Sequence, residues 1–167
     1  MIVRRVKLDK IDQRILHDLQ ENGRLSNVEL ARRAGISAPP CLRRVRALER
    51  AGYLRGYHAD LEPKALGFNV TVFALVGLAS QAEPDLQAFE ALVGGWPEVR
   101  ECYMLAGETD FLLKVVAVDW ESYERFLTTR LTPAPNVSHV KSALSIRTSK
   151  LHPGVPIAFD GENGELS

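Results

Sequence analysis

Cysteine is scarce in this chain of 167 residues, which has two, Cys41 and Cys102. One falls in a helical pattern and the other in an apolar run, so a disulfide-stapled scaffold is excluded and two small buried thiols are expected. Histidine is nearly as rare. His17, His58, His139 and His152 are scattered without metal-ligand spacing, and His17 is expected on the exposed side of the first helix. There is no glycine-rich phosphate loop, dinucleotide fingerprint or Cys/His nucleophile pair. The expectation is a protein with no catalytic residues, metal or cofactor. No apolar stretch approaches the length of a membrane span, and the opening MIVRRVKLDKID is too polar for a signal peptide. A cytoplasmic setting away from membranes is therefore expected.

Net charge is also missing, but only in sum, since 21 Lys and Arg balance 21 Asp and Glu. Through Asp60 there are 13 basic residues against 7 acidic, net +6; the remainder has 8 against 14, net −6. A basic half suits a polyanion, because its cations displace condensed counterions from phosphates. The acidic half is better suited to self-association or to a small ligand.

The basic half holds three helical patterns. The first starts near Leu8 and Asp9, buries Ile11, Ile15, Leu16 and Leu19, and stops at Asn22-Gly23. Ser26 and Glu29 have capping-box spacing, so a second helix begins near Asn27 with Val28, Leu30, Ala31 and Ala34 as its apolar positions. Gly35 can take the positive φ that ends it. Ser37 is placed to cap a third helix, and Pro39 and Pro40 fall in its first turn, where missing N–H groups cost little. At about 100° per residue, Ala38, Cys41, Leu42, Val45 and Leu48 share one side. Pro39, Arg43, Arg46 and Arg50 share the opposite side, with Arg44 on the flank. Two capped helices across a glycine turn, the second studded with arginine, have helix-turn-helix geometry, in which the second helix enters the major groove of duplex DNA. Arg43 or Arg44 is a candidate for bidentate donation to guanine, and Arg46 and Arg50 for phosphate contacts.

After residues 53–67, read as a wing or hinge strand, the period changes. Phe68, Val70, Val72, Ala74, Val76 and Leu78 alternate as a strand does. A helix opens at Pro84, two strands run over 99–106 and 111–118, Asp119 caps a second helix, and a last strand covers 137–148. In that strand Val140, Leu144 and Ile146 face one way. Strand, helix, strand, strand, helix, strand describes a ferredoxin-like sheet with both helices on one face. Phe73 and Leu75 leave the other face apolar, which predicts a covering second subunit.

The fold class is thus α+β: an N-terminal helix-turn-helix, winged-helix-like domain over 1–52, the 53–67 linker, a ferredoxin-like βαββαβ domain over 68–150, and a loosely ordered tail over 151–167. LDKIDQRILHDLQENGRLSNVELARRAGIS, then PPCLRRVRALERAGYLRGY, and later AGETDFLLKV together resemble the Lrp/AsnC (feast/famine) family of transcriptional regulators across Leu8 to about Lys150. The resemblance implies a sequence-specific DNA-binding regulator that dimerises, can assemble into octamers, and binds an amino acid or related metabolite between dimers. Carried over, Ser37, Pro40, Arg44 and Arg46 match the family's recognition helix, and Gly107 and Asp110 its ligand loop. Asp110 can hold an ammonium and the loop amides of Gly107, Glu108 and Thr109 a carboxylate, with Met104 beside them as a side-chain contact. Other readings on the same fold are an enzyme resembling a sirohaem decarboxylase, or a DNA-binding oligomer that takes no ligand.

Overall fold

The computed structural model describes residues 7–152 and 154–157. Helix α1 spans Lys10–Glu21, α2 Asn27–Arg33 and α3 Ala38–Arg50. A 3-10 turn at Lys64–Leu66 precedes strand β1 at Val70–Leu78, helix α4 at Glu83–Gly94 and strands β2 at Val99–Met104 and β3 at Phe111–Ala117. Helix α5 runs over Trp120–Phe126, continues as a π-helical turn through Leu127–Leu131, and is followed by β4 at Val137–Leu144. The described residues form two compact units. One runs through Asp60 and regains the chain from Lys150; the other is Leu61–Ser149.

In the first unit each helix start is fixed by local chemistry. Asp9 and Asp12 form a capping box at α1, and Ser26 and Glu29 form one at α2. Gly35, at φ 69°, makes the turn out of α2 that a residue with a Cβ takes only under strain. Ile15, Leu16, Leu19, Leu30, Ala31, Cys41 and Leu48 close a small core. Two expected members are absent from it. Val28 is 69% exposed because it lies on the outer face of the two-turn α2, and Leu42 is exposed at the edge of the buried stripe of α3. A third departure is Ser37, which occupies the N-cap position of α3 but makes no side-chain capping bond. The side-chain amide of Asn27 instead donates to the Ala38 carbonyl at 2.8 Å, bracing α2 against the start of α3.

The core also holds a charge that sequence patterning did not reveal. Asp18 is buried on α1, accepts a bond from Arg14 Nε at 3.0 Å, and lies 3.8 Å from Arg33 on α2. Its neighbour His17 is half-buried, with Nδ1 3.6 Å from Asp18, and not on the exposed side as expected. Within the expected loose tail, the described residues around Val155 meet α1: Gln20 Nε2 donates to the Val155 carbonyl at 2.9 Å, and the Val155 amide donates to Gln20 Oε1 at 2.8 Å. Ile157 packs on the helical core. The remainder of the 151–167 segment, residues 158–167 and Pro153, lies outside the described residues.

The second unit is the four-stranded antiparallel sheet expected, in the order β2-β3-β1-β4. Val72, Ala74 and Val76 of β1 and Phe111, Leu113 and Val115 of β3 face α4 and α5, where Phe89, Val93, Tyr123, Phe126 and Leu131 complete the core. Tyr123 is fully buried, and its hydroxyl is satisfied by Ser142 of β4. The expected strand limits shrink at their ends. Phe68 precedes β1 because its amide is spent on the Pro63 carbonyl across the 3-10 turn. Leu144 and Ile146 are 53% and 93% exposed, since no helix reaches that end of the edge strand. Cys102, expected to be buried, is exposed on the other edge strand, β2. Residues 53–67 form no strand within the single chain; an extended segment needs a neighbour to pair with, and here it has none.

Candidate functional site

The first candidate surface is α3. Thirteen residues give a rod about 20 Å long. Cys41 and Leu48 anchor its inner side, and on its outer side Pro39, Arg43, Arg46 and Arg50 are all exposed, as Ser37 is at its start. Pro40 is half-buried. Pro39 and Pro40 sit in the first turn without breaking the helix, because amides there have no intrahelical acceptor. Their rings stiffen the end that a groove-entering helix presents first.

Arg44 has a different occupation from its neighbours. Its guanidinium donates to Asp12 Oδ1 at 2.7 Å and to Asp9 Oδ2 at 2.8 Å, clamping α3 to the start of α1. The pair perturbs both groups: bonding to Asp12 and Asp9 raises the Arg44 pKa, while the Asp12 amide and then Arg44 hold the Asp9 carboxyl below its usual range. Both bonds come from Nη1, which holds the guanidinium against the start of α1. Helical periodicity places Arg44 on the flank but does not identify its partners, because the carboxylates come from the start of another helix.

The second candidate surface is the β2–β3 connection. It is closed by the Leu105 amide donating to the Asp110 carbonyl at 2.8 Å. Gly107 and Glu108 are exposed at its tip, Thr109 is half-buried, and Met104 is 61% exposed on the edge strand, available as a contact and not committed to the core. Asp110 is buried. Its Oδ2 accepts the Leu78 amide at 2.6 Å, and its own amide donates to the Val76 carbonyl at 3.0 Å, so it ties the start of β3 to the end of β1. Among the described residues Oδ1 makes no bond, which leaves one carboxylate oxygen for a ligand. The loop is an open edge, not an enclosed cavity. Two surface depressions of about 350 Å³ lie elsewhere, one against Glu90, Val99 and Cys102 and one against Glu98, Phe126 and Arg130, and neither includes a residue of 104–110.

Opposite the helices, the sheet presents Phe73 and Leu75 of β1 and Leu112 and Val116 of β3, all half-buried within one chain. On the same face Lys114 Nζ donates to Glu101 Oε1 at 2.8 Å and the Tyr103 hydroxyl to Glu101 Oε2 at 2.9 Å. Bonding to Lys114 holds the Glu101 carboxyl below its usual range. No group of three or more His, Cys, Asp or Glu side chains suited to a metal occurs among the described residues, and no described helix is long and apolar enough to cross a membrane.

Comparison with known proteins divides the chain along the same lines. Residues 8–55 match the family model for winged helix-turn-helix DNA-binding domains, and residues 71–155 match that of the Lrp/AsnC ligand binding domain. The leucine-responsive regulatory protein of Rhizobium meliloti is 52% identical over 149 residues, covering 89% of this chain and 96% of that protein. The Bkd operon transcriptional regulator of Pseudomonas aeruginosa is 39% identical, covering 90% and 99% of the two chains. Among solved structures, a transcriptional regulator from Neisseria meningitidis in complex with L-methionine superposes with a TM-score of 0.85 at 39% identity, over 90% of this chain and 97% of the other. These relatives are transcriptional regulators, which sets aside the decarboxylase-like alternative.

Proposed function

The chain belongs to the Lrp/AsnC family of transcriptional regulators, and on that premise we propose how its residues divide the work. Helix α3 enters the major groove with Ser37, Pro39 and Pro40 leading. Arg43 reads a base edge, Arg46 and Arg50 meet phosphates, and Arg44 positions the helix instead of touching DNA. The observation that carries this reading is the exposure of Arg43, Arg46 and Arg50 on one side of a helix whose other side is anchored by Cys41 and Leu48.

Two chains associate through the sheet face bearing Phe73, Leu75, Leu112 and Val116, and dimers assemble further, up to octamers. Two copies supply two recognition helices for two half-sites. The effector is an amino acid or related metabolite held at Met104, Gly107, Glu108, Thr109 and Asp110 between dimers. Two things support this: the L-methionine bound to the Neisseria relative, and the openness of the loop in one chain, which a neighbouring subunit would enclose. An effector that binds one assembly better than another shifts occupancy on DNA by that difference in affinity alone.

Fluorescence anisotropy on promoter fragments at several salt concentrations tests the DNA assignment. Arg50→Ala should weaken operator and random DNA alike and reduce the slope of log affinity against log salt by about one unit. Selective loss on operator DNA would instead make Arg50 a base reader. A ligand-independent oligomer is the second reading, favoured by the structural use of the Asp110 carboxylate on Leu78. Thermal shift against each of the twenty amino acids separates the two, since a ligand that binds only the folded state raises the melting temperature.

A further inference from the structure

At the loop end of β1 a glycine separates two acceptor groups. Gly77 pairs in register with His139 of β4, beside an irregularity between Gly77 and Leu78. A Cβ on Gly77 would overlap His139 Cε1 and come within 2.6 Å of both ring nitrogens, so the imidazole lies directly over the glycine and no larger residue leaves it there. The ring is also locked in orientation. Ser138 Oγ donates to the Gly77 carbonyl at 2.9 Å and stands 3.0 Å from His139 Nδ1. A hydroxyl has one proton and a carbonyl can only accept, so both contacts are hydrogen bonds together only in the tautomer with the hydrogen on Nδ1. The neutral ring is thereby left with Nε2 as a lone-pair acceptor.

On the other flank is Asp110, whose Oδ2 accepts the amide of Leu78, the residue next to Gly77. Standard covalent geometry then keeps the carboxylate oxygen within about 5 Å and the imidazole Cε1 within about 4 Å of Gly77 Cα. His139 of β4 and Asp110 at the start of β3 thus flank the same glycine of β1 from its two sides.

We propose that His139, whose ring lies in the space that Gly77 leaves, is a second effector ligand, its Nε2 and Asp110 Oδ1 together accepting the ammonium of an amino-acid effector. The proposal rests on the effector reading above and adds to the loop a residue from a different strand. It also accounts for Ser138, whose hydroxyl sets the tautomer, and for a glycine in the middle of a sheet, where glycine otherwise weakens packing.

Calorimetric titration of the full chain with each of the twenty amino acids, and then with the 2-oxo acid that matches the tightest binder, tests it. The wild type should bind at least one amino acid, with the matching 2-oxo acid, which lacks the ammonium, about tenfold or more weaker. His139→Ala should weaken the amino acid by a similar factor and leave the 2-oxo acid within about twofold, and His139→Gln, which keeps an acceptor, should recover part of the loss. In nitrogen-detected NMR the His139 Nε2 resonance should move when the tightest-binding amino acid is added. Gly77→Ala, which displaces the ring, should behave like His139→Ala. An amino acid bound equally by wild type and a folded His139→Ala, with an unmoved Nε2 signal, overturns the proposal while sparing the effector reading. A wild type that binds none of the twenty removes both.

Discussion

Arg44 offers the sharpest separation between a residue that builds the recognition helix and one that uses it. The guanidinium bonds Asp12 at 2.7 Å and Asp9 at 2.8 Å. Asp12 is 14% exposed and Arg44 32%, whereas Asp9 is half-exposed, so the Asp12 bond carries most of the effect. A hydrogen bond between charged groups contributes about 1.5–3 kcal/mol when shielded and well under 1 kcal/mol when solvated, so Arg44→Ala should cost about 1–2 kcal/mol. In a unit of this size that corresponds to a fall of roughly 5–10 °C in the melting of the helical domain. Arg46→Ala, which breaks no described contact, should change stability by less than about 0.5 kcal/mol and lower the salt slope of DNA binding by about one unit. The assay pairs thermal melts of Arg44→Ala, Asp12→Ala and the double variant with anisotropy on operator DNA. A coupling energy near zero between Arg44 and Asp12, together with a larger loss of operator affinity for Arg44→Ala than for Arg46→Ala, would refute the division of roles.

The same cluster sets a pH dependence. Because the Asp12 amide and Arg44 lower the Asp9 pKa in the folded state, its contribution is complete above the ordinary carboxyl value near 4 and disappears as pH falls through the lowered value. Asp9→Asn should therefore flatten that part of the acid limb in melts taken from about pH 6 to pH 2, and an identical limb would remove Asp9 as a contributor. Leu75→Glu places a charge on the half-buried sheet face; light scattering should show the mass fall to that of one chain with the circular dichroism unchanged, and retention of the wild-type mass would place the interface elsewhere. Gln20→Ala removes both bonds to Val155 and should free the tail, speeding proteolysis beyond Lys150 several-fold; equal cleavage rates would show that Ile157 alone holds it.

Readability from sequence followed the range of each interaction. The start of α1 near Asp9, the cap at Ser26, the turn at Gly35 and the alternation through Val72, Ala74 and Val76 depend on neighbours a few residues away, and each lies where the pattern places it. Assignments that failed needed knowledge of what stands opposite. Val28 and Leu42 fit a helical stripe but face no partner, and Leu144 and Ile146 alternate correctly on a strand end that no helix covers. Cys102 looked like core because its run is apolar, yet β2 is an edge strand. The returning tail was hidden because the bonds between Gln20 and Val155 join residues 135 apart in the chain.

The amino-acid order by itself determined a basic three-helix unit followed by an acidic βαββαβ unit, because helix and strand periods, caps and turn glycines are properties of short stretches of chain. Only the tertiary structure decided which arginine is committed to carboxylates, that Asp110 lends one oxygen to Leu78, and that His139 lies over Gly77. Each of those depends on groups from separate elements converging within hydrogen-bond or van der Waals distance, and such contacts form only when the whole unit has packed.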